Sequence, residues 1–260
     1  QNELMDYILL ALFLGISVVL IRAGSSEDKK KKISIWRDRM IALIIFMIIN
    51  ISFWACFEQA GTSLTLFADR NVDRMIFGWE MPASMTQFFN PFFIILFGSI
   101  FSIMWVKLSK IGKNPSIPLK FCFGIAQLAL GFLLTKLGYQ FVNEAYQVPI
   151  LTLVFLYMLH TTGELFLSPI GLSMVTKLSP KSMAGTAMGA WFLSFAIANY
   201  AGGKIAAITG GHGGGEALST EAGLLQYLDV FSAIGYVLLV IALVIFLLNK
   251  PIKKLMHGVE

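Results

Sequence analysis

Two carboxylates stand in this sequence where a carboxylate is costly. Glu164 lies in GELFLSPIGLS, downstream of ILTLVFLYMLH, and Glu58 lies in SFWACFEQAGTSLTLF. Both runs are long enough to cross a membrane, where a charged side chain costs about 2.5–3.5 kcal/mol on insertion scales. An acid kept there faces a cavity or a partner, and its chemistry is to hold a cation or a proton. Helical spacing puts Tyr157 and His160 on the face of Glu164. Pro169 cannot donate to the helix ladder and is expected to kink or loosen that helix near Leu165. His160 fits a hydrogen-bonded core histidine as well as a proton relay. Around Glu58, the same spacing gathers Trp54, Phe57, Gly61 and Thr62. A lipid-facing stripe would be uniformly aliphatic. The competing reading of Glu58 is a scaffold acid paired with a lysine of a neighbouring helix.

Three further positions do not look like lipid contacts. Asn90-Pro91, in TQFFNPFFIIL, sets an amide and a helix breaker inside an apolar span. Structural glue between helices and contact with a ligand both fit Asn90. In AGTAMGAWFLSFAIANYAGG, Trp191 is deep in the span and Ser194 is three residues on, an arrangement that suits a cavity wall or a packed core. Gly185 and Gly189 form a small-xxx-small pair whose default role is close helix packing. Cys56 and Cys122 lie in apolar runs and read as inert buried thiols. No GxGxxG, P-loop, HExxH, GxSxG or His/Cys cluster is present, so neither an enzyme, a metal nor a bound cofactor is expected.

The elements that must position these residues follow from composition. Of 260 residues, 57% are hydrophobic and 13% charged; soluble domains carry about 25% charged residues. Seven apolar spans stand out, at 4–21, 40–68, 84–106, 119–137, 148–176, 183–209 and 224–248. At about 1.5 Å per residue each approaches or exceeds the hydrocarbon thickness. None alternates strictly, which favours helices over a barrel.

The net charge of +5 sits in alternate loops: Lys29–Lys32, then Lys107 to Lys120, then Lys177 and Lys181, then Lys250 to Lys254. The intervening loops are neutral or mixed: Arg70 and Arg74 beside Asp69, Asp73 and Glu80, then Asn143-Glu144, then GGHGGGEALSTEAG. The positive-inside rule puts the basic loops and the C-terminus in the cytoplasm. Six spans after a basic linker suggest one half of a twelve-helix transporter. No basic patch is interleaved with exposed aromatics, so a nucleic-acid partner is not expected. The chain opens on Gln1 with no signal-peptide features before residue 4, and reads as beginning partway through a longer protein.

In order along the chain, FWACFEQAGTSLTLFADR, FFNPFFIIL, GELFLSPIGLSMVTKLSP and MAGTAMGAWFLSFAIANYAGG resemble the C-terminal half of the proton-dependent oligopeptide transporters of the major facilitator superfamily. The similarity runs from about Trp36 to Asn249, and the first span resembles the second helix of the hairpin that bacterial members insert between their two halves. The resemblance implies an all-α membrane protein: a hairpin helix at 1–22, a basic cytoplasmic linker at 23–39, a six-helix bundle at 40–249 and a cytoplasmic tail at 250–260. It implies proton-coupled symport of di- and tripeptides by alternating access in a bacterial inner membrane, with the proton as coupling ion.

By the same resemblance, Glu164 receives the peptide's amino terminus and Asn90 bonds its backbone. Trp54 and Trp191 line side-chain pockets with Ser194 near them, and Glu58 pairs with a basic residue of the other half in a bond that protonation loosens. Asp69 is a further candidate for an outer gate. An N-terminal half is then needed for transport. A carrier of another solute, such as nitrate or a drug, and a non-transporting scaffold remain the alternatives.

Overall fold

A computed structural model describes residues 2–209 and 220–259. The glycine-rich segment 210–215, expected as an outer loop, lies outside the described residues. The chain runs through α1 (Asn2–Lys31), α2 (Trp36–Phe57), a 3₁₀ turn (Glu58–Gly61), α3 (Ser63–Asn71), a second 3₁₀ segment (Ala83–Phe88) and α4 (Phe89–Lys110). It continues with α5 (Ile117–Gly138), α6 (Ile150–Leu178), α7 (Ala184–Thr209), α8 (Thr220–Leu247) and α9 (Asn249–Leu255). Two two-residue strands, β1 (Val72–Asp73) and β4 (Val148–Pro149), pair in parallel. Strands β2 (Met75–Ile76) and β3 (Trp79–Glu80) form a hairpin whose turn residues Phe77 and Gly78 both have positive φ.

Among the described residues, six segments are long and apolar enough to cross a membrane: Glu3–Lys31, Trp36–Asn71, Ala83–Lys110, Ile117–Phe141, Ile150–Leu178 and Thr220–Leu247. Helix α7 is also long, at 26 residues, but glycine, serine, asparagine and tyrosine dilute its apolar content. The chain is an integral membrane protein by these spans.

The structure redraws several expected boundaries. Most of the linker expected at 23–39 is helix, because α1 continues to Lys31. Its Glu27 and Lys31 pair one turn apart at 2.9 Å, and three lysines in the last turn oppose the helix dipole. Asp28 then caps the start of α2, accepting from the backbone N–H of Ile35, Trp36 and Arg37 at 2.9–3.0 Å. The tail expected at 250–260 is docked, with Ile252 and Met256 buried and Arg39 donating to the carbonyls of Met256 and His257. Lys120, read as a loop charge, is inside α5 and buried, its ammonium 4.5 Å from the centre of the Trp105 ring. Pro91 falls in the first turn of α4 rather than mid-helix, where a missing N–H removes no helix bond. Helix α6 passes through Pro169 as one element.

Helices α5, α6 and α8 form one packed unit; α1, α2 and α7 form another, and α4 lies against α6. In lipid, packing rather than hydrophobic exclusion drives helix association, so small residues matter most. The glycines that achieve it are not the expected pair. A Cβ on Gly163 would meet the Gly124 carbonyl oxygen at 2.7 Å, and one on Gly235 would meet Leu133 at the same distance. Gly131 makes room for the His160 ring. Among the described residues, Gly185 and Gly189 have nothing within 4 Å of an added Cβ, so neither packs closely against another described helix. Gly163→Ala is therefore expected to cost about 1–3 kcal/mol by overpacking, seen as a lower melting temperature in detergent. Gly189→Ala should leave that temperature unchanged.

Candidate functional site

The expected span 40–68 is not one helix, and the break falls on Glu58. Helix α2 ends at Phe57, Glu58 opens the 3₁₀ turn, and Thr62 leaves helical geometry before α3 begins. Gly61 and Thr62 are thus not on a regular α-helical face with Glu58. The break is stable because Gln59, fully buried, satisfies the groups around it. Its Nε2 donates to the Ala55 carbonyl at 2.9 Å and to the Gly202 carbonyl on α7 at 3.0 Å, and its Oε1 accepts from Ser63 at 2.7 Å. Glu58, next in sequence, is exposed.

Glu164 is half-buried on α6. Its Oε2 accepts from Asn90 Nδ2 at 3.0 Å, and the same Nδ2 donates to Thr161 Oγ1 at 3.1 Å. The start of α4 after the 3₁₀ segment places Asn90 there. Sequence reasoning reached the acid and the amide separately; the structure joins them and adds Thr161. The Glu58 carboxylate lies within electrostatic reach of Glu164. Among the described residues, neither acid has a cationic partner, and Glu164 Oε1 takes no hydrogen bond. With Glu58 exposed and Glu164 half-buried, the two carboxylates have the chemistry to hold a cation or a proton.

The aromatic residues converge on one side chain that the sequence did not single out. Phe195 lies 5.2 Å from Trp54 and 6.2 Å from Trp191, ring centre to ring centre. Trp54 is half-buried, whereas Trp191 is 2% exposed and rests against Gly171 of α6. Ser194 is fully enclosed: its hydroxyl donates to the Trp191 carbonyl at 2.6 Å and accepts from Asn50 Nδ2 at 2.8 Å. Its place is therefore behind the wall, as a link between α2 and α7, and not at an open surface.

Tyr157 and His160 share the face of Glu164 but not its surroundings. Tyr157 is buried, with its hydroxyl donating to the Ala60 carbonyl at 3.4 Å. His160 is enclosed between Phe132 and Phe57, at 4.7 and 6.3 Å between ring centres, and neither ring nitrogen has a hydrogen-bond partner among the described residues, so it is not the hydrogen-bonded core histidine the sequence allowed. Asp69 joins a charged cluster in which Arg74 reaches Asp69 at 3.4 Å and Glu80 at 2.9 Å. One ion pair had no place in the sequence reading: Lys204 on α7 binds Asp6 on α1. A lysine in one apolar span and an aspartate in another were its signal. Among the described residues, no group of three or more His, Cys, Asp and Glu could hold a metal ion.

Comparison with known proteins adds descent to this geometry. The POT family model matches residues 5–213. A peptide transporter of Yersinia enterocolitica is 37% identical over 227 residues, covering 86% of this chain and 42% of that protein. The dipeptide and tripeptide permease A of Edwardsiella piscicida is 35% identical over 222 residues, covering 85% of this chain and 44% of that protein. The crystal structure of a mutant peptide transporter POT in complex with alafosfalin superposes with a TM-score of 0.82 at 29% identity, covering 98% of this chain and 48% of that one. The chain spans somewhat less than half the length of these relatives.

The burial pattern is open to direct measurement. With Cys56 and Cys122 replaced by Ser, Glu58→Cys should react readily with a water-soluble maleimide, because position 58 is exposed. Ser194→Cys should resist labelling until the protein is denatured.

Proposed function

This chain belongs to the POT family, and on that premise we propose that it forms the C-terminal bundle of a proton-coupled symporter of di- and tripeptides. The observation that carries the reading is the pair of acids, Glu58 and Glu164, within electrostatic reach of one another and, among the described residues, without a cation of their own. A peptide's ammonium group is a full charge, and a carboxylate in low-dielectric surroundings is its natural counterion. Glu164 receives that ammonium through Oε1, while Asn90, itself bonded to Thr161, holds the other carboxylate oxygen. When peptide enters, Asn90 turns its amide to the peptide backbone. Trp54 lines a side-chain pocket with Phe195, and Trp191, with Ser194 behind it, backs that wall.

Glu58 pairs with a basic residue of an N-terminal six-helix half. Protonation of Glu58 breaks that pair and lets the two halves change their tilt. The proton is the only coupling agent required, and no cofactor enters the scheme. The basic alternate loops support a C-terminus on the cytoplasmic side, and in this reading the membrane is a bacterial inner membrane.

Dipeptide counterflow and pH-gradient-driven uptake in proteoliposomes of the full-length transporter test the reading. Glu164→Gln is expected to abolish uptake of peptides with a free amino terminus. Normal uptake by that variant would remove Glu164 from the ammonium site. Glu58→Gln is expected to weaken proton-driven accumulation far more than downhill exchange. Equal loss of both would remove its coupling role. A wild-type protein that moves another solute but no peptide, or moves nothing, would favour the carrier or scaffold alternatives.

A further inference from the structure

We propose that Gln59 is the positioning residue for Glu58: its buried amide ties the joint of α2 to α7, and so sets where the Glu58 carboxylate points. The proposal rests on the reading that Glu58 is the proton-sensitive group. The amide of Gln59 is saturated. Two N–H bonds go to Ala55 and Gly202, and the oxygen accepts from Ser63, in a position with no exposed surface. In a 3₁₀ turn consecutive residues project about 120° apart. With Gln59 locked into α7, Glu58 is turned out of the α2–α7 seam toward the exposed side.

The seam is built for this contact. Gly202 is the one α7 glycine whose added Cβ would touch α2 among the described residues, meeting the Ala55 carbonyl oxygen at 3.0 Å and Gln59 Nε2 at 3.6 Å. A second link, Asn50 to Ser194, closes the same parallel pair of helices deeper in the membrane. Lys204, two residues past Gly202, then binds Asp6 of α1. A change of charge at Glu58 therefore acts on a joint fastened to α7, and through α7 to α1. The acid that holds the peptide, Glu164, is fastened instead to α4. Coupling by this scheme passes between two helix groups, and Gln59 determines which group Glu58 belongs to.

The test uses the full-length transporter in proteoliposomes, with Gln59→Leu as the apolar variant of similar size. Proton-driven accumulation of a dipeptide is expected to fall about tenfold, while counterflow stays within about twofold, a coupling change of ordinary size. In a Glu58→Gln background, Gln59→Leu is expected to add no further loss, because it acts through Glu58. A merely structural role would depress counterflow and accumulation alike and would add to Glu58→Gln; either result overturns the proposal. If Gln59→Leu does not reach the membrane, Gly202→Ala presses on the same joint and is expected to show the same selective loss, with unchanged accumulation counting against the proposal. A nitroxide at position 58 supplies a readout independent of transport. It is expected to gain mobility with Gln59→Leu, and an unchanged spectrum overturns the positioning role. A wild-type protein that moves no dipeptide overturns the peptide reading instead, and the nitroxide still decides on Gln59.

Discussion

A charge inside a membrane must meet an opposite charge, a proton or water, and that requirement organises this molecule. The chain meets it in three ways. Lys204 and Asp6 neutralise each other where α7 and α1 touch. Arg39, Asp38 and His257 meet at the basic end of the bundle, where the tail folds back on α2. Glu58 and Glu164 are left without a cation among the described residues. The first two solutions hold the fold together. The third leaves charge for something outside the chain, and it is the part that makes a transport reading physically reasonable.

The backbone obeys a parallel constraint. With no water to satisfy a free N–H or C=O, a helix in lipid is broken only where side chains or neighbouring backbone take over. The break at Glu58 meets this condition through the amide of Gln59, which serves two helices at once. The discontinuity before α4 meets it with a 3₁₀ segment followed by Pro91 in the first helical turn. Both irregular stretches carry candidate functional residues, Glu58 in one and Asn90 just past the other. Irregular backbone and polar chemistry coincide because each needs protein or cavity, rather than lipid, beside it.

Much of this was legible along the chain. Unbroken apolar runs marked the spans, and two acids out of place marked the site. The ordered motifs around them pointed to a family that the comparisons support over residues 5–213. What was not legible had specific causes. Good helix formers hid the continuation of α1 behind a run of lysines that reads as linker. The spacing of Gly185 and Gly189 looks like a packing motif, but only a neighbouring backbone makes a glycine necessary, and none lies beside them among the described residues. Gln59 was passed over because a buried amide acts through partners distant in sequence, here 143 residues away at Gly202. Phe195 was lost among many phenylalanines, since aromatic content says nothing of which rings meet.

The sequence by itself determined that the chain lives in a membrane, how its helices are spaced, and which acids have no business in lipid. Those properties depend on local composition and on the energy of moving a residue from water to hydrocarbon. Only the tertiary structure decided that Glu164 is held by Asn90, which also bonds Thr161, that Ser194 stands behind the wall, and that Glu58 sits at a joint fastened to α7. Those are meetings between helices, set by which small residues let backbones approach and by which buried amides find carbonyls, and neither is written in any single stretch of the chain.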